Sequence, residues 1–432
     1  MNAWLRQTAV RLNASYWFLP ALLTLGAVLL SLATYAVDVH LGQAWTKGLS
    51  WLHETRPDGA RALLSTIAGS MISVAGTVFA ITIAAVVYAS GNYGPRLLTN
   101  FMTDRGNQLT LGVFIATFVY CLLVLRTVRQ PDEAGLLGDA GGGFVPELSL
   151  LTAFFLALLS VGVLVFFLHH VPDSIRINQV VARIGRRALA DIERRFPDPD
   201  AGVEPARHVP AGCLAVRARR TGYLEVVDFA TLGGICREQG IRVFLAVRPG
   251  DFVHPGVVLL QVDGTLGEGA EEALHAAFAT GESRTSAQDI EYSLDELVEI
   301  ALRALSPGIN DPFTAVTCLH WLSAATAALA GRDLACDADG NRNGSHGVQA
   351  LPDDFDHFVA RGFGGVRPSA ATSPIAARMF VQALSAAAAA CPAEARVERL
   401  RVEARKLLVE AEAALNGPAL DEVRAAVAAF AG

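Results

Sequence analysis

The feature that most constrains this chain is a long charge-free segment, Ala62 to Pro95, bounded by Arg61 and Arg96. An α-helix needs roughly 20 predominantly apolar residues to cross a bilayer, and this segment is longer than that. Backbone groups in lipid must find their hydrogen bonds within the segment itself, which favours a helix. The segment therefore predicts a transmembrane helix.

Two faces of this helix differ in size and polarity when residues are grouped at helical spacing. The bulky stripe, which suits lipid, contains Ile67, Met71, Val74, Val78, Ile81 and Ala85. The small, weakly polar stripe contains Thr66, Gly69, Ser70, Ser73, Gly76, Thr77, Ala80 and Ala84. Small residues are enriched at close helix contacts, and hydroxyl groups also suit the wall of a pore. Both interpretations stay open, and under the second the pore-lining candidates are Thr66, Ser70, Ser73 and Thr77.

Three further apolar runs predict three more spans, at Phe18–Val37, Leu109–Val128 and Leu148–Val171. We therefore expect a transmembrane domain over residues 1–172 with four helices. Arginine accumulates before the first run, in the connection after the second helix and in the segment after Pro172. Because Arg and Lys are enriched in cytoplasmic loops, both termini are predicted to be cytosolic.

Two blocks of sequence resemble a known family. The first contains Thr77–Ser90, Tyr93–Leu98, Asp104–Arg105, Gln108, Leu111–Gly112, Phe114, Thr117–Tyr120 and Val124–Val128, and the second is Leu302–Pro312. Both are similar to predicted bacterial membrane proteins of the family called domain of unknown function 2254. This resemblance implies an integral, multi-pass protein of the bacterial inner (plasma) membrane with a cytosolic C-terminal domain. It implies no activity, ligand or catalytic residue.

Composition separates a membrane half from a more polar half. The chain is 52% hydrophobic and only 18% charged, with a mean hydropathy of +0.37, and the apolar excess lies before Val171. A net charge of −7 gives no electrostatic footprint for nucleic acid. The six cysteines form no C-x-x-C pair, and H-E-x-x-H, G-x-S-x-G and Walker motifs are absent. We expect no metal, no cofactor and no catalytic residue.

The polar half predicts a cytosolic α+β region. Residues 173–210 form a basic juxtamembrane helix and linker, residues 211–265 form short strands typical of a small β-barrel or sandwich, and residues 285–432 form a helical C-terminal domain. One predicted helix of that domain carries Asp289, Glu291, Asp295, Glu296 and Glu299 on one side. Its opposite side is apolar, so the acidic side is interpreted as solvated rather than as a cation site.

The block Ser306-Pro-Gly-Ile-Asn-Asp-Pro312 contains a helix start. Asp311 is predicted to cap the next helix, and Pro312 to occupy its first position. That leaves Ser306, Gly308 and Asn310 as candidates for contact with an unidentified cytosolic ligand or partner.

Three functions remain at this point. The first is a homo-oligomeric channel for an ion or small solute, lined by the second helix and gated by the cytosolic domain. Arg96, Arg105 and Arg126 would lie at its mouths and favour anions. The alternative is a membrane-anchored sensor or scaffold that conducts nothing. An enzyme ranks last, because no nucleophile, base and orienting group fall into a recognisable arrangement.

We expect the connection from Gly91 to Gln108 to face the cytosol, because Arg96 and Arg105 follow the same bias as the C-terminal region. A cysteine introduced by Asn100→Cys, with the six native cysteines replaced, should react with an impermeant maleimide only after the inner face is exposed. Labelling from outside intact cells would reverse the predicted topology.

Overall fold

The computed structural model describes residues 15–41, 56–94, 104–130, 144–196, 209–341, 344–351 and 354–431. These residues divide into two compact units. The N-terminal unit lies within Leu12–Gly91 and Pro95–Arg176, and the C-terminal unit lies mainly within Ile177–Gly432.

Four long helices build the described part of the N-terminal unit: α1 Phe18–Leu41, α2 Pro57–Tyr93, α3 Arg105–Leu125 and α4 Glu147–Ser174. At 1.5 Å per residue, α2 is roughly 55 Å long and exceeds the ~30 Å hydrocarbon core of a bilayer. Large side chains of α3 and α4 fill the space between the helices, since Phe114, Tyr120 and Phe167 are at most 1% exposed. The bundle therefore has a packed interior.

Polar contacts join the helix ends of this bundle. The Asp38 carboxylate, on α1, accepts hydrogen bonds from the backbone N–H groups of Leu148 and Ser149 at 2.9 and 3.0 Å, and from Ser149 Oγ at 2.7 Å. It thereby satisfies amides at the start of α4 that have no partner inside that helix. At the opposite end of the bundle, Asp104 caps the N-terminus of α3 and lies 3.0 Å from His170 Nε2 on α4.

The C-terminal unit begins with α5, Ile177–Arg195. Seven short strands and two further helices follow. They are β1 Leu214–Arg217, β2 Gly222–Val227, α6 Phe229–Gln239, β3 Arg242–Leu245, β4 Phe252–Val253, β5 Val258–Asp263, α7 Ala270–Ala276, β6 Phe278–Gly281 and, after a long helical insertion, β7 Val348–Gln349.

These strands form two small sheets with orders β1-β5-β3-β7 and β4-β2-β6. All pairs are antiparallel except β3 with β7. Apolar residues from both sheets share one core, for example Leu224, Leu245 and Leu260. The sheet-containing region is thus confirmed, and its description as a barrel or sandwich stays a prediction. The sheets reach past the expected boundary at residue 265, because β6 and β7 come later in the chain.

The remaining helices are α8 Ile290–Ala304, α9 Pro312–Ala330, α10 Phe355–Ala370, α11 Pro374–Ala388, α12 Glu394–Ala414 and α13 Gly417–Ala431, with a 3-10 turn at Ser345–Gly347. Helix α9 packs between its neighbours, and Gly185 of α5 lies so close to Trp321 that a Cβ would overlap the indole ring. Arg396 of α12 is buried and donates to the carbonyls of Leu329, Ala330 and Arg332 at the end of α9. Such donors satisfy carbonyls left free at a helix C-terminus.

Among the described residues, five helices are long and apolar enough to cross a membrane. Four are α1 to α4, and the fifth is α9, of whose most apolar window 56% is buried inside the protein. The sequence predicted four spans, which correspond to α1 to α4, and did not identify α9 as a fifth helix of sufficient length and hydropathy. Length and hydropathy alone do not distinguish a span from a core helix, because both are apolar around much of their surface.

The predicted helix start at Asp311 and Pro312 is confirmed. Asp311 accepts hydrogen bonds from the N–H of Thr314 at 3.1 Å and from its hydroxyl at 2.6 Å, and Pro312 is the first residue of α9. We expect Asp311→Ala to lower the free energy of unfolding by about 1 kcal/mol through loss of this cap, without abolishing membrane insertion. Asp311→Asn, which keeps an acceptor oxygen, is the matched control.

Denaturant unfolding of the full chain in detergent, followed by circular dichroism, measures both variants. If Asp311→Ala has the stability of the wild-type chain but loses its function, the Ser306–Pro312 block acts as a binding site rather than as a cap.

Candidate functional site

The bulky stripe of α2 faces the interior of the bundle. Ile67 and Met71 are 8% exposed and Val78 is 1% exposed, all within the core that α2 shares with the other helices. The expectation that this stripe meets lipid is therefore wrong for these residues, although Ile81 is 42% exposed. The physical reason is that burying large apolar side chains in the shared core of the bundle gains dispersion contacts that small residues cannot supply.

The small stripe of α2 is exposed on the single chain. Thr66, Ser70, Ser73 and Thr77 all have open side chains. An ideal Cβ built on Gly69 or Gly76 meets no atom of the described residues within 4 Å. Packing inside the described chain therefore does not explain why these positions are small.

The hydroxyl groups of this stripe donate to their own helix. Those of Thr66, Ser70, Ser73 and Thr77 bond backbone carbonyls one turn earlier, at 2.8, 2.9, 2.9 and 3.1 Å. Each hydroxyl hydrogen is thus satisfied, while oxygen lone pairs remain as acceptors. Such a surface is compatible with lipid, with a neighbouring helix or with water.

The predicted pore-mouth arginines lie at separate places. Arg105 is exposed at the first residue of α3, and Arg126 is exposed directly after its last residue. The two are roughly 30 Å apart along the axis, from the rise of an α-helix. Arg96 lies outside the described residues.

The Ser306–Pro312 block forms a tight turn between α8 and α9. The Ser306 hydroxyl donates to the Arg303 carbonyl at 2.6 Å, and the Ser306 carbonyl accepts from Ile309 and Asn310. Asn310 has a φ of +50°, a left-handed conformation that only a few per cent of non-glycine residues adopt. Gly308 and Asn310 are exposed, whereas the Ser306 side chain is used within the turn.

Apolar side chains accompany this turn, which the sequence analysis did not single out. Ile309 is 45% exposed and Phe313 is 69% exposed. The turn therefore presents apolar surface beside Gly308 and Asn310. The sequence shows Ile309 and Phe313 on either side of Asn310, but the left-handed backbone of Asn310 and the exposure of the two apolar side chains are visible only in three dimensions.

The acidic residues of α8 do not form a solvated face, so that expectation is wrong. Asp289 and Glu296 are 2% and 1% exposed. Glu296 forms an ion pair with Arg187 of α5, and Arg187 Nε also donates to Ser293 Oγ at 3.0 Å. Buried carboxylates need such partners, because desolvation of an unpaired charge is strongly unfavourable.

An ionic cluster lies where the sheets meet the helices, formed by Arg284, Asp289, Glu291, Asp295, His357 and Arg361. Arg284 contacts both Asp289 and Asp295 at 2.5 Å. Arg361, on α10, contacts Asp295 and Glu291 at 2.7 Å each. His357 Nε2 lies 2.6 Å from Glu291. The cluster thus links the segment after β6 with α8 and α10.

Glycine 250 allows a backbone turn to approach this cluster. Gly250 has a φ of +98°, and a Cβ there would overlap the Asp289 carboxylate and contact Arg284. The turn after β3 therefore packs directly on the buried charges. No spacing along α8 shows these arrangements, because the partners come from distant parts of the chain.

Two pKa values in the cluster move in opposite directions. Burial raises the pKa of Asp289 to about 6, and this effect exceeds the opposing attraction of Arg284. Burial also acts to raise the pKa of Glu291, but the hydrogen bond from His357 and the charge of Arg361 outweigh it and leave that pKa below its ordinary value. The cluster therefore contains one carboxyl that resists ionisation and one that favours it.

Comparison with known proteins places most of this chain in one group. Residues 13–386 match the model of a family described as a predicted membrane protein, DUF2254. Uncharacterized proteins of Mycobacterium bovis and Mycobacterium tuberculosis are 31% identical over 362 residues, which cover 82% of this chain and 68% of theirs. No solved structure matches significantly.

We expect the stability of the wild-type chain, relative to Asp289→Asn, to fall by about 2 kcal/mol as pH rises from about 4 to about 6. A carboxyl with a raised pKa binds its proton more tightly in the folded state than in the unfolded state. The unfolded chain therefore ionises first as pH rises, and stability is lost until the folded pKa is passed. Asparagine does not titrate, so the difference isolates this group.

Denaturant unfolding of both chains at several pH values in this range measures the difference. A difference that grew with pH would show that Arg284 lowers the pKa of Asp289 instead.

Proposed function

We propose that this chain, which belongs to the DUF2254 family of predicted membrane proteins, assembles into a homo-oligomeric channel for an ion or small solute. The α2 helices of the subunits line the pathway, and the C-terminal unit gates it. One observation carries this proposal: the small, hydroxyl-bearing stripe of α2 is open on the single chain while its bulky stripe is buried.

The pathway runs between subunits rather than through one bundle. Phe114, Tyr120 and Phe167 fill the interior of the bundle, so a single chain offers little space for a solute there. Several α2 helices, each turning its small stripe toward a common axis, supply hydroxyl groups that rotate away from the helix carbonyls and donate to a passing anion in place of water. Thr66, Ser70, Ser73 and Thr77 take this role.

Four helices cross the inner membrane in this proposal, and both termini lie in the cytosol. Helices α1 to α4 are the spans. Helix α9 is apolar because it packs against α5, α8 and α11 within the C-terminal unit. The distribution of arginine sets the orientation.

Anions are the favoured solutes. Arg96, Arg105 and Arg126 follow or precede the spans, and rings of arginine favour anions at a pore mouth. We assign no catalytic role and no nucleic-acid partner to the chain.

A membrane-anchored sensor or scaffold that conducts nothing is the rival function. Oligomeric state separates the two, because a pathway between subunits requires more than one chain. A strict monomer in lipid nanodiscs excludes the channel.

We expect Ser73→Leu and Thr77→Leu to abolish flux while leaving the oligomer intact, because bulky apolar groups narrow and dewet a pore. Gly76→Leu is the internal comparison and should damage packing whether the stripe lines the pathway or forms a helix contact, unless this glycine is itself exposed to water. Ile72→Leu, at a neighbouring exposed position, conserves volume and should behave like wild type.

Flux is measured in reconstituted vesicles with a chloride-sensitive dye and, separately, with cation-sensitive dyes, while mass photometry reports subunit number. Loss of assembly in Ser73→Leu and Thr77→Leu would show that the stripe is a helix contact. An intact oligomer that conducts no ion before substitution would remove the channel and leave the sensor or scaffold.

A further inference from the structure

A cavity of about 410 Å³ opens in the C-terminal unit, between the end of β1, strand β6 and helix α7. Ligand sites in proteins are commonly clefts of about 300–1,000 Å³. This cavity therefore has the size for a small organic molecule and is too small for a large cofactor. It is far in sequence from the Ser306–Pro312 block and contains none of the residues that line the proposed pathway.

The floor of the cavity is apolar. Val253, Leu259 and Ala279 are 0%, 3% and 7% exposed, and Phe278 lies beside them half-buried. These side chains belong to both sheets, and Val253 and Leu259 are part of the shared core, with Phe278 packed against it. An aromatic or branched aliphatic group fits such a surface, since burying it removes apolar area from water.

The rim of the cavity carries positive charge. Arg220 is exposed and makes no hydrogen bond or ion pair with the residues that the structure describes. Its neighbour Arg219 contacts Glu271 and Glu272 at 3.1 and 2.6 Å, but these groups are about half exposed or more. Exposed pairs of this kind contribute little and exchange readily with other partners. Arg220 is therefore the group available to an incoming anion.

His275 completes the polar side of the cavity. Its side chain is 12% exposed, and its Nε2 lies 3.6 Å from Glu271. Burial lowers the pKa of His275, with a further contribution from the charge of Arg219. A lower pKa favours the neutral ring, which offers both a donor and an acceptor.

We propose that this cavity binds a small carboxylic acid with an apolar body. The carboxylate pairs with the Arg220 guanidinium, whose planar fork matches its geometry. The apolar body of the ligand lies on Val253, Leu259 and Phe278, and His275 donates a hydrogen bond to the carboxylate. Glu272 at the rim disfavours ligands that carry several phosphates. Binding does not depend on conduction, so this inference goes beyond the proposed function.

The test uses the full chain in nanodiscs and the probe 4-(4-fluorophenyl)butyrate, followed by fluorine NMR with empty nanodiscs as a blank. We expect saturable binding to the wild-type chain and at least tenfold weaker binding to Arg220→Ala. The corresponding alcohol, which lacks the charge, should also bind at least tenfold more weakly. Arg217→Ala is the matched control, because Arg217, the last residue of β1, is also exposed but donates to the Gly256 carbonyl and does not line the cavity.

A second variant tests the position of the probe. Ala276 is exposed and lines the cavity, so Ala276→Trp should fill the space and abolish binding. The proposal is overturned if the wild-type chain shows no saturable binding, if the alcohol binds as tightly, or if Arg217→Ala weakens binding as much as Arg220→Ala. If Ala276→Trp lowers the melting temperature, the comparison of Arg220→Ala with Arg217→Ala decides the outcome.

Discussion

A bilayer offers the polypeptide backbone no hydrogen-bond partner, so every polar group of a spanning segment must be satisfied by the protein. Helix α2 obeys this rule down to its side chains, because Ser70 and Ser73 donate to carbonyls of the preceding turn. Other polar groups bond between helices, as Asp38 does at the start of α4 and as Thr117 and Ser160 do between α3 and α4. The exposed stripe is thereby left free of unsatisfied donors, and its neighbours are not dictated by the chain itself.

In the C-terminal unit, the groups that need partners are buried charged side chains instead of backbone groups. Asp295 of α8 is held by Arg284 from one side and by Arg361 of α10 from the other. Removing one member of a buried pair commonly costs about 3–5 kcal/mol, because the remaining charge is left without compensation. The sheets and the helices are therefore tied together by interactions that tolerate little change in geometry.

Local chemistry was predictable from the sequence, and tertiary partners were not. The Asp311 cap and the Pro312 helix start depend on neighbouring residues alone, and the apolar run of α2 needs only its length. The acidic side of α8 was misinterpreted because Arg284, Arg361 and Arg187 come from other elements. The bulky stripe of α2 was misassigned to lipid for the same reason, since periodicity separates two faces without showing which one meets a neighbouring helix. Nothing in the sequence marked the cavity below Arg220, whose floor combines residues from both sheets.

Strand β7 shows how far apart the chain places the parts of one sheet. Val348 and Gln349 pair in parallel with Val243 and Phe244 of β3, yet α8 and α9 come between them in the chain. Closing such a long loop costs conformational entropy, and non-local pairing of this kind slows folding. During synthesis, this edge of β3 is therefore exposed until β7 has left the ribosome. A chain released before that point would present an open strand edge, which is a template for aggregation.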